Sequence, residues 1–248
     1  MKETRSIMGM PITVNVADKS ATAGTLEHVF SYFSSVDERF STYKKTSEIS
    51  RINRGELKES EYSNDMKTVF ALSEKTRKET KGYFDIRNPQ GDIDPSGLVK
   101  GWAIYNAAQL LKRQGFKNFY IDAGGDVQAE GHNENGRRWR VGIRDPLNTR
   151  EEKIVKVVHL TDCGIATSGT YLRGQHIYNP HEKNKPINDI VSLSVVGPNV
   201  YEADRFATAA FAMGKDGINF IERLPGFEGY AIDKEGIATM TGGFAKYT

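Results

Sequence analysis

The apolar residues of this chain change period repeatedly along its length, and that irregular alternation limits the folds open to it. Leu26, Val29, Phe30, Phe33 and Phe40 recur at helical spacing, which predicts an amphipathic helix over about 21–40. A second helix is expected after Asn64, with Met66, Val69 and Phe70 turned inward. A third is expected from near Gly97, through Ala103, Ile104, Ala107, Leu110 and Leu111, to Gly115 as its C′ glycine. Strand-like segments lie at 7–16, 118–122, 126–130, 138–143, 154–160 and 190–196, with Gly124-Gly125 as the turn joining the second to the third. Helical spacing returns at 201–213 and 217–223, and a last strand pair is expected near 230–231 and 238–240. Helices and strands are interspersed without regular βαβ units. The chain therefore reads as α+β, a single domain over 1–248.

Composition narrows the function. At 248 residues the chain is long enough to bury a full core, and 38% apolar with 27% charged residues is the balance of an ordered globular protein. Net charge is only +2, with acids and bases mixed and no basic patch, so no nucleic-acid partner is expected. Cys163 is the only cysteine, which excludes an internal disulfide and a cysteine-built zinc site. No apolar run approaches the roughly 18 residues of a membrane span, and no signal peptide or lipobox is seen. A cytoplasmic location without membrane insertion is the expectation.

Five segments carry candidate chemistry. Asp94-Pro95-Ser96-Gly97 leads into a helix whose first amides suit phosphate oxygens, with Lys100 in the first turn to add a charge. Asp94 would equally serve as an ordinary helix cap. Asp204 and Thr208 are four apart in a helical context, so they share a face and offer hard oxygens to Mg²⁺. A cap and a back-bonded hydroxyl would give the same pattern. In Ala166-Thr167-Ser168-Gly169-Thr170-Tyr171 the Ser-Gly-Thr turn offers hydroxyls and free amides, and His176, a candidate base, follows. Tyr43, after the first long helix, suits ring stacking or closure of that helix. Gly9, in Ile7-Met8-Gly9-Met10, allows close approach of a ligand or a bulge in the first strand.

In order and content these segments resemble the ApbE family, the FAD:protein FMN transferases. The resemblance runs from Met8 to about Gly214. It includes the Ser41-x-Tyr43-x-x-x-Ser47-Glu48 loop, Tyr83-Phe84-Asp85, Asp94-x-Ser96-Gly97-x-x-Lys100-Gly101, Gly124-Gly125-Asp126, Ala166-Thr167-Ser168-Gly169, His176-Ile177 with Pro180, and Asp204 with Thr208. It implies an α+β fold with a flavin-binding cleft. Met8, Tyr43, Tyr83, Phe84, Asp85, Asp94, Lys100 and Tyr178 would line the FAD pocket. The Gly97 carbonyl, Asp204 and Thr208 would hold Mg²⁺, with the Ala207 backbone oxygen nearby, and His176 would be the base. The chain departs from the family pattern at Met10, Tyr178, Asn179, Lys183, Trp102 and Asn106.

The activity implied is Mg²⁺-dependent transfer of FMN from FAD to a threonine or serine of an acceptor flavoprotein, with AMP released. Two other readings keep the same pocket: a Mg²⁺-dependent FAD pyrophosphatase giving FMN and AMP, and an FAD-binding protein without turnover.

Overall fold

The first two strands, β1 (Lys2–Ile7) and β2 (Met10–Val16), pair antiparallel across a two-residue turn at Met8-Gly9. Both turn residues have positive φ, 57° and 71°, the twist that a tight hairpin needs. The sequence pattern suggested one strand over 7–16. The turn divides that segment because a left-handed pair cannot continue a ladder, and β1 escaped notice because Lys-Glu-Thr-Arg is polar and half exposed at the sheet edge. The coordinates are a computed structural model that describes residues 1–88, 90–148, 153–170, 177–182 and 186–248.

The chain continues with α1 (Ala23–Phe40), α2 (Glu48–Asn53), α3 (Asn64–Glu79) and α4 (Ser96–Arg113). Then come β3 (Phe119–Ala123), β4 (Asp126–Glu130), β5 (Trp139–Arg144), β6 (Ile154–Leu160), β7 (Cys163–Gly169) and β8 (Ile190–Gly197). The last elements are α5 (Val200–Ala212), α6 (Gly217–Glu222), β9 (Glu228–Asp233) and β10 (Ala238–Met240). Eight strands form one antiparallel sheet in the order β1-β2-β3-β4-β7-β8-β9-β10, and β5 pairs with β6 as a separate hairpin. The α+β reading holds.

Alternation along the strands sorts the core onto the two sides of this sheet. Ile12, Val14, Phe119 and Ile121 pack with Leu26, Phe30 and Phe33 of α1 and Leu98 and Ile104 of α4. Ala166, Leu193 and Val195 pack with Phe206, Ala210 and Phe211 of α5. On the opposite side, Val127, Ile165, Val196 and Ile232 meet Trp139 and Val158 of the β5–β6 hairpin. Helix α5 is buried almost all round because α4 covers one flank and the sheet the other.

Arg205 shows how that burial is made tolerable. Its guanidinium, only 3% exposed, donates to Glu202 and Glu79 and lies 3.9 Å from the Phe206 ring centre, tying α5 to α3. Arg205→Ala is expected to destabilise the fold by about 2 kcal/mol. That is below the usual toll for breaking a buried pair, because Glu79 is 38% exposed and can rehydrate. A lower urea midpoint at unchanged slope is the expected readout, and an unshifted midpoint would contradict it.

Candidate active site

Helices α4 and α5 touch more closely than ordinary side chains allow, and the cause is Gly97 and Gly101. A Cβ on Gly101 would lie 2.6 Å from Asp204 Cβ and 2.8 Å from the Val200 carbonyl oxygen. One on Gly97 would meet Thr208 Cγ2 at 3.1 Å. With no Cβ at either place, the Asp204–Thr208 face of α5 sits directly against the first turns of α4. In an ideal helix the Gly101 N–H would aim at the Gly97 carbonyl. Here it donates to Asp204 Oδ2 at 2.8 Å, while Gly97 O accepts from the Thr208 hydroxyl at 3.2 Å.

This junction is the floor of a cleft of ≈ 1110 Å³, measured with its open mouth. Gly97, Lys100, Asp204 and Thr208 line it from the helices, and Tyr83, Phe84, Asp85 and Asp94 from the chain between α3 and α4. Tyr178 closes it from the other side. The structure thus brings together nine of the sequence-derived candidates. Met8 packs against the core at the first hairpin turn and Tyr43 is 96% exposed; neither lines the cleft. Ala207 is fully buried in the helix core beside Thr208. His176 lies outside the described residues.

Beyond those nine, Thr167 and Ser168 also line the cleft, and Asp126 lies buried behind it against Lys100. Ser168-Gly169-Thr170 reads as a turn, but 163–169 form the central strand β7, between β4 and β8, which takes in Ser168 and Gly169. Its end sets Thr167 and Ser168 in the lining, with the Ser168 hydroxyl 3.4 Å from that of Thr208. Asp126, 1% exposed at the start of β4, accepts from the Thr167 N–H at 3.0 Å. Its other oxygen lies 2.6 Å from Lys100 Nζ, and the same ammonium is 3.9 Å from Asp204 Oδ1. The ammonium's charge compensates that buried second oxygen. Asp126 leaves a signal in the Gly124-Gly125-Asp126 run, which marks a turn and belongs to the family pattern but assigns the carboxylate no role.

Loops complete the wall. Asn53 brackets Ile93, accepting its N–H and donating to its carbonyl, each at 2.9 Å, which fixes the approach to α4. Ser47 caps α2, and Glu48 accepts from the Ser63 N–H at 2.7 Å, so this part of the Ser-x-Tyr-x-x-x-Ser-Glu loop supports the wall from behind. Opposite, the Tyr178 hydroxyl donates to the Arg87 carbonyl. Burial, with the Asp85 and Asp94 carboxylates nearby, pushes the Tyr178 phenol up to about 12.

The Asp204 carboxyl is pushed up to about 7, first by burial and then against the pull of Lys100, with Asp126 adding to the rise. The native state then keeps a proton that the unfolded chain has already lost. Stability of the metal-free protein should therefore fall as pH rises from the ordinary carboxylate range to about 7. Asp204→Asn should flatten that decline, by a few kcal/mol at most on the order set by the linkage relation. Thermal midpoints across this window would show it, and parallel curves would exclude it.

Chemically, the floor offers one buried carboxylate, a backbone carbonyl and two hydroxyls. That all-oxygen set suits a small hard divalent cation that also takes ligands from a phosphate. Among the described residues no three His, Cys, Asp or Glu side chains gather into a cage.

Comparison with known proteins agrees with this geometry. The ApbE family pattern matches residues 8–88 and 86–231. The FAD:protein FMN transferase of Escherichia coli (strain K12) is 30% identical over 168 residues, 64% of this chain and 47% of that protein, so the chain spans about half the length of that relative. The FAD:protein FMN transferase of Haemophilus influenzae is 24% identical over 286 aligned positions, 87% of this chain and 83% of that protein. The flavin transferase ApbE from Vibrio cholerae shares the fold, with a TM-score of 0.85 at 23% identity, over 100% of this chain and 99% of that one. As its cleft residues and these likenesses together indicate, the chain belongs to the ApbE family.

Proposed function

We propose that this protein is a Mg²⁺-dependent FAD:protein FMN transferase. The observation that carries the reading is the junction where Lys100, Asp204, Thr208 and the Gly97 carbonyl converge beneath an aromatic-walled cleft. The Lys100 ammonium and hard oxygen donors, in one lining with Tyr83, Phe84 and Tyr178, match a molecule that is half flavin and half pyrophosphate. The relatives from E. coli and H. influenzae, both FAD:protein FMN transferases, support the same assignment.

In this reading Asp204, Thr208 and the Gly97 carbonyl hold Mg²⁺, which when bound neutralises charge on the pyrophosphate. The Ala207 backbone oxygen is assigned to the same neighbourhood. Lys100 binds the phosphates, and Tyr83, Phe84, Asp85, Asp94 and Tyr178 hold the nucleotide and flavin, with Met8 and Tyr43 as outer contacts. A threonine or serine oxygen of the acceptor flavoprotein attacks the FMN-side phosphorus. The bond from that phosphorus to the AMP oxygen breaks, AMP leaves, and the hydroxyl proton passes to His176.

The test is incubation with FAD and Mg²⁺, with and without an acceptor. AMP formed only with acceptor supports transfer. AMP formed without it points to hydrolysis, and bound FAD with no AMP points to a binding protein. His176→Ala is expected to bind FAD at wild-type affinity and to lose transfer by about a hundredfold or more, the range typical of a positioned base. Full transfer by that variant would remove His176 from the role.

A further inference from the structure

Asp126 is a carboxylate 1% exposed, 26 residues from Lys100 in sequence, yet it is the nearer of the two carboxylates to that ammonium: 2.6 Å against 3.9 Å for Asp204. Its other oxygen is held by the Thr167 N–H, so the side chain cannot swing away without breaking a buried bond between β4 and β7. The ammonium therefore has two partners within reach, and only one of them belongs to the proposed cation site.

We infer that Asp126 is a positioning residue that acts through Lys100. By drawing the ammonium to its own side of the cleft, it keeps Lys100 aimed at the pyrophosphate and leaves Asp204 to the metal. This inference rests on the FAD- and Mg²⁺-binding reading given above.

The reasoning is electrostatic. Two buried carboxylates face one ammonium, and the ammonium goes wherever the unscreened attraction is largest. If Asp126 loses its charge, Asp204 remains as a negative partner 3.9 Å from Lys100, with the Asp122 carboxylate also acting on that ammonium. The ammonium then shifts across the remaining gap and competes with the cation for Asp204. A lysine drawn onto Asp204 also leaves the position from which it would meet the phosphates.

Binding measurements on the whole protein test this, using FAD without metal, followed by flavin fluorescence, and Mn²⁺ alone as a paramagnetic probe, followed by its resonance signal. The variants are Asp126→Asn, Lys100→Met and the double substitution. Asparagine keeps an oxygen for the Thr167 N–H, and circular dichroism checks that each variant folds. Asp126→Asn is expected to weaken both FAD and Mn²⁺ by about tenfold or more, the size of one charge-assisted contact. Lys100→Met should weaken FAD by a similar factor and leave Mn²⁺ as tight as wild type or tighter. The double variant should bind FAD no worse than Lys100→Met and should recover Mn²⁺ binding lost in Asp126→Asn. That recovery is the distinguishing result, because removing a second side chain does not repair a merely structural defect. Wild-type affinities in Asp126→Asn, or losses that simply add in the double variant, would overturn the inference alone. A wild-type protein that binds neither FAD nor Mn²⁺ would instead overturn the functional reading beneath it.

Discussion

Asp204→Ala is expected to abolish Mg²⁺-dependent AMP release, a loss on the order of a hundredfold or more, while leaving the protein folded. The two halves of that expectation have different origins. Asp204 is the only full charge among the proposed metal donors, so its removal leaves a carbonyl and hydroxyls that hold a divalent cation poorly. Stability should change little, because two opposing effects meet at the same position. The Gly101 N–H loses its 2.8 Å acceptor, but a carboxylate 3% exposed is no longer buried in the core. Chromatographic detection of AMP and a thermal melt, read together, decide the matter. Unchanged turnover would end the metal assignment, and a collapsed melt would mean that Asp204 is chiefly structural.

The second large effect is expected from Gly101→Ala, a change of one methyl group far from any reacting atom. That methyl would fall 2.6 Å from Asp204 Cβ and 2.8 Å from the Val200 carbonyl oxygen, and the second of these is backbone that cannot rotate aside. Helix α5 must move. Overpacking of this kind typically costs about 1–3 kcal/mol, and the better helix propensity of alanine returns at most about 1 kcal/mol. The larger consequence is functional, since a shift of about 1 Å in a positioned group lowers rate by roughly a hundredfold. Gly101→Ala should thus lose far more AMP release than its melting temperature suggests, with Mg²⁺ required at higher concentration. If activity falls only in step with stability, the close helix contact is not what sets Asp204.

The contrast between these residues and their neighbours explains how much the sequence disclosed. Helices α1, α3, α4 and α5 were visible because each carries an apolar stripe long enough to show a period. Helix α2 offers only Ile49 and Ile52 as buried apolar positions, and these do not stand out from the polar loop around them. Strand β7 goes unmarked in the sequence, with its end reading as a Ser-Gly-Thr turn, because Gly, Ala, Thr and Ser make up most of it. Small residues belong there, with α5 packed so close that a Cβ on Gly164 would lie 2.0 Å from the Val200 nitrogen. Within the site, Asp204 and Thr208 were legible together because four-residue spacing on a helix is itself a geometric statement. Asp126 was not. A carboxylate after two glycines looks like a turn residue until the fold lays Lys100 over it. Tyr43 is a candidate for ring stacking from its place after α1, Met8 becomes a pocket candidate through the family resemblance, and the structure sets both outside the cleft lining.

The hydrogen bonds that make the floor of the cleft join residues 103 and 111 positions apart, and the Tyr178 contact in its wall spans 91. Contacts of such separation form late, because the loop they close must first lose its freedom. During synthesis, Lys100 and Gly97 leave the ribosome long before α5 exists to face them. Until then the chain has no place to gather a cation and a pyrophosphate, so neither ligand can guide its early folding. Any stabilisation by the proposed flavin and metal would begin only once α5 has docked, which would make them guardians of the finished protein rather than templates for it.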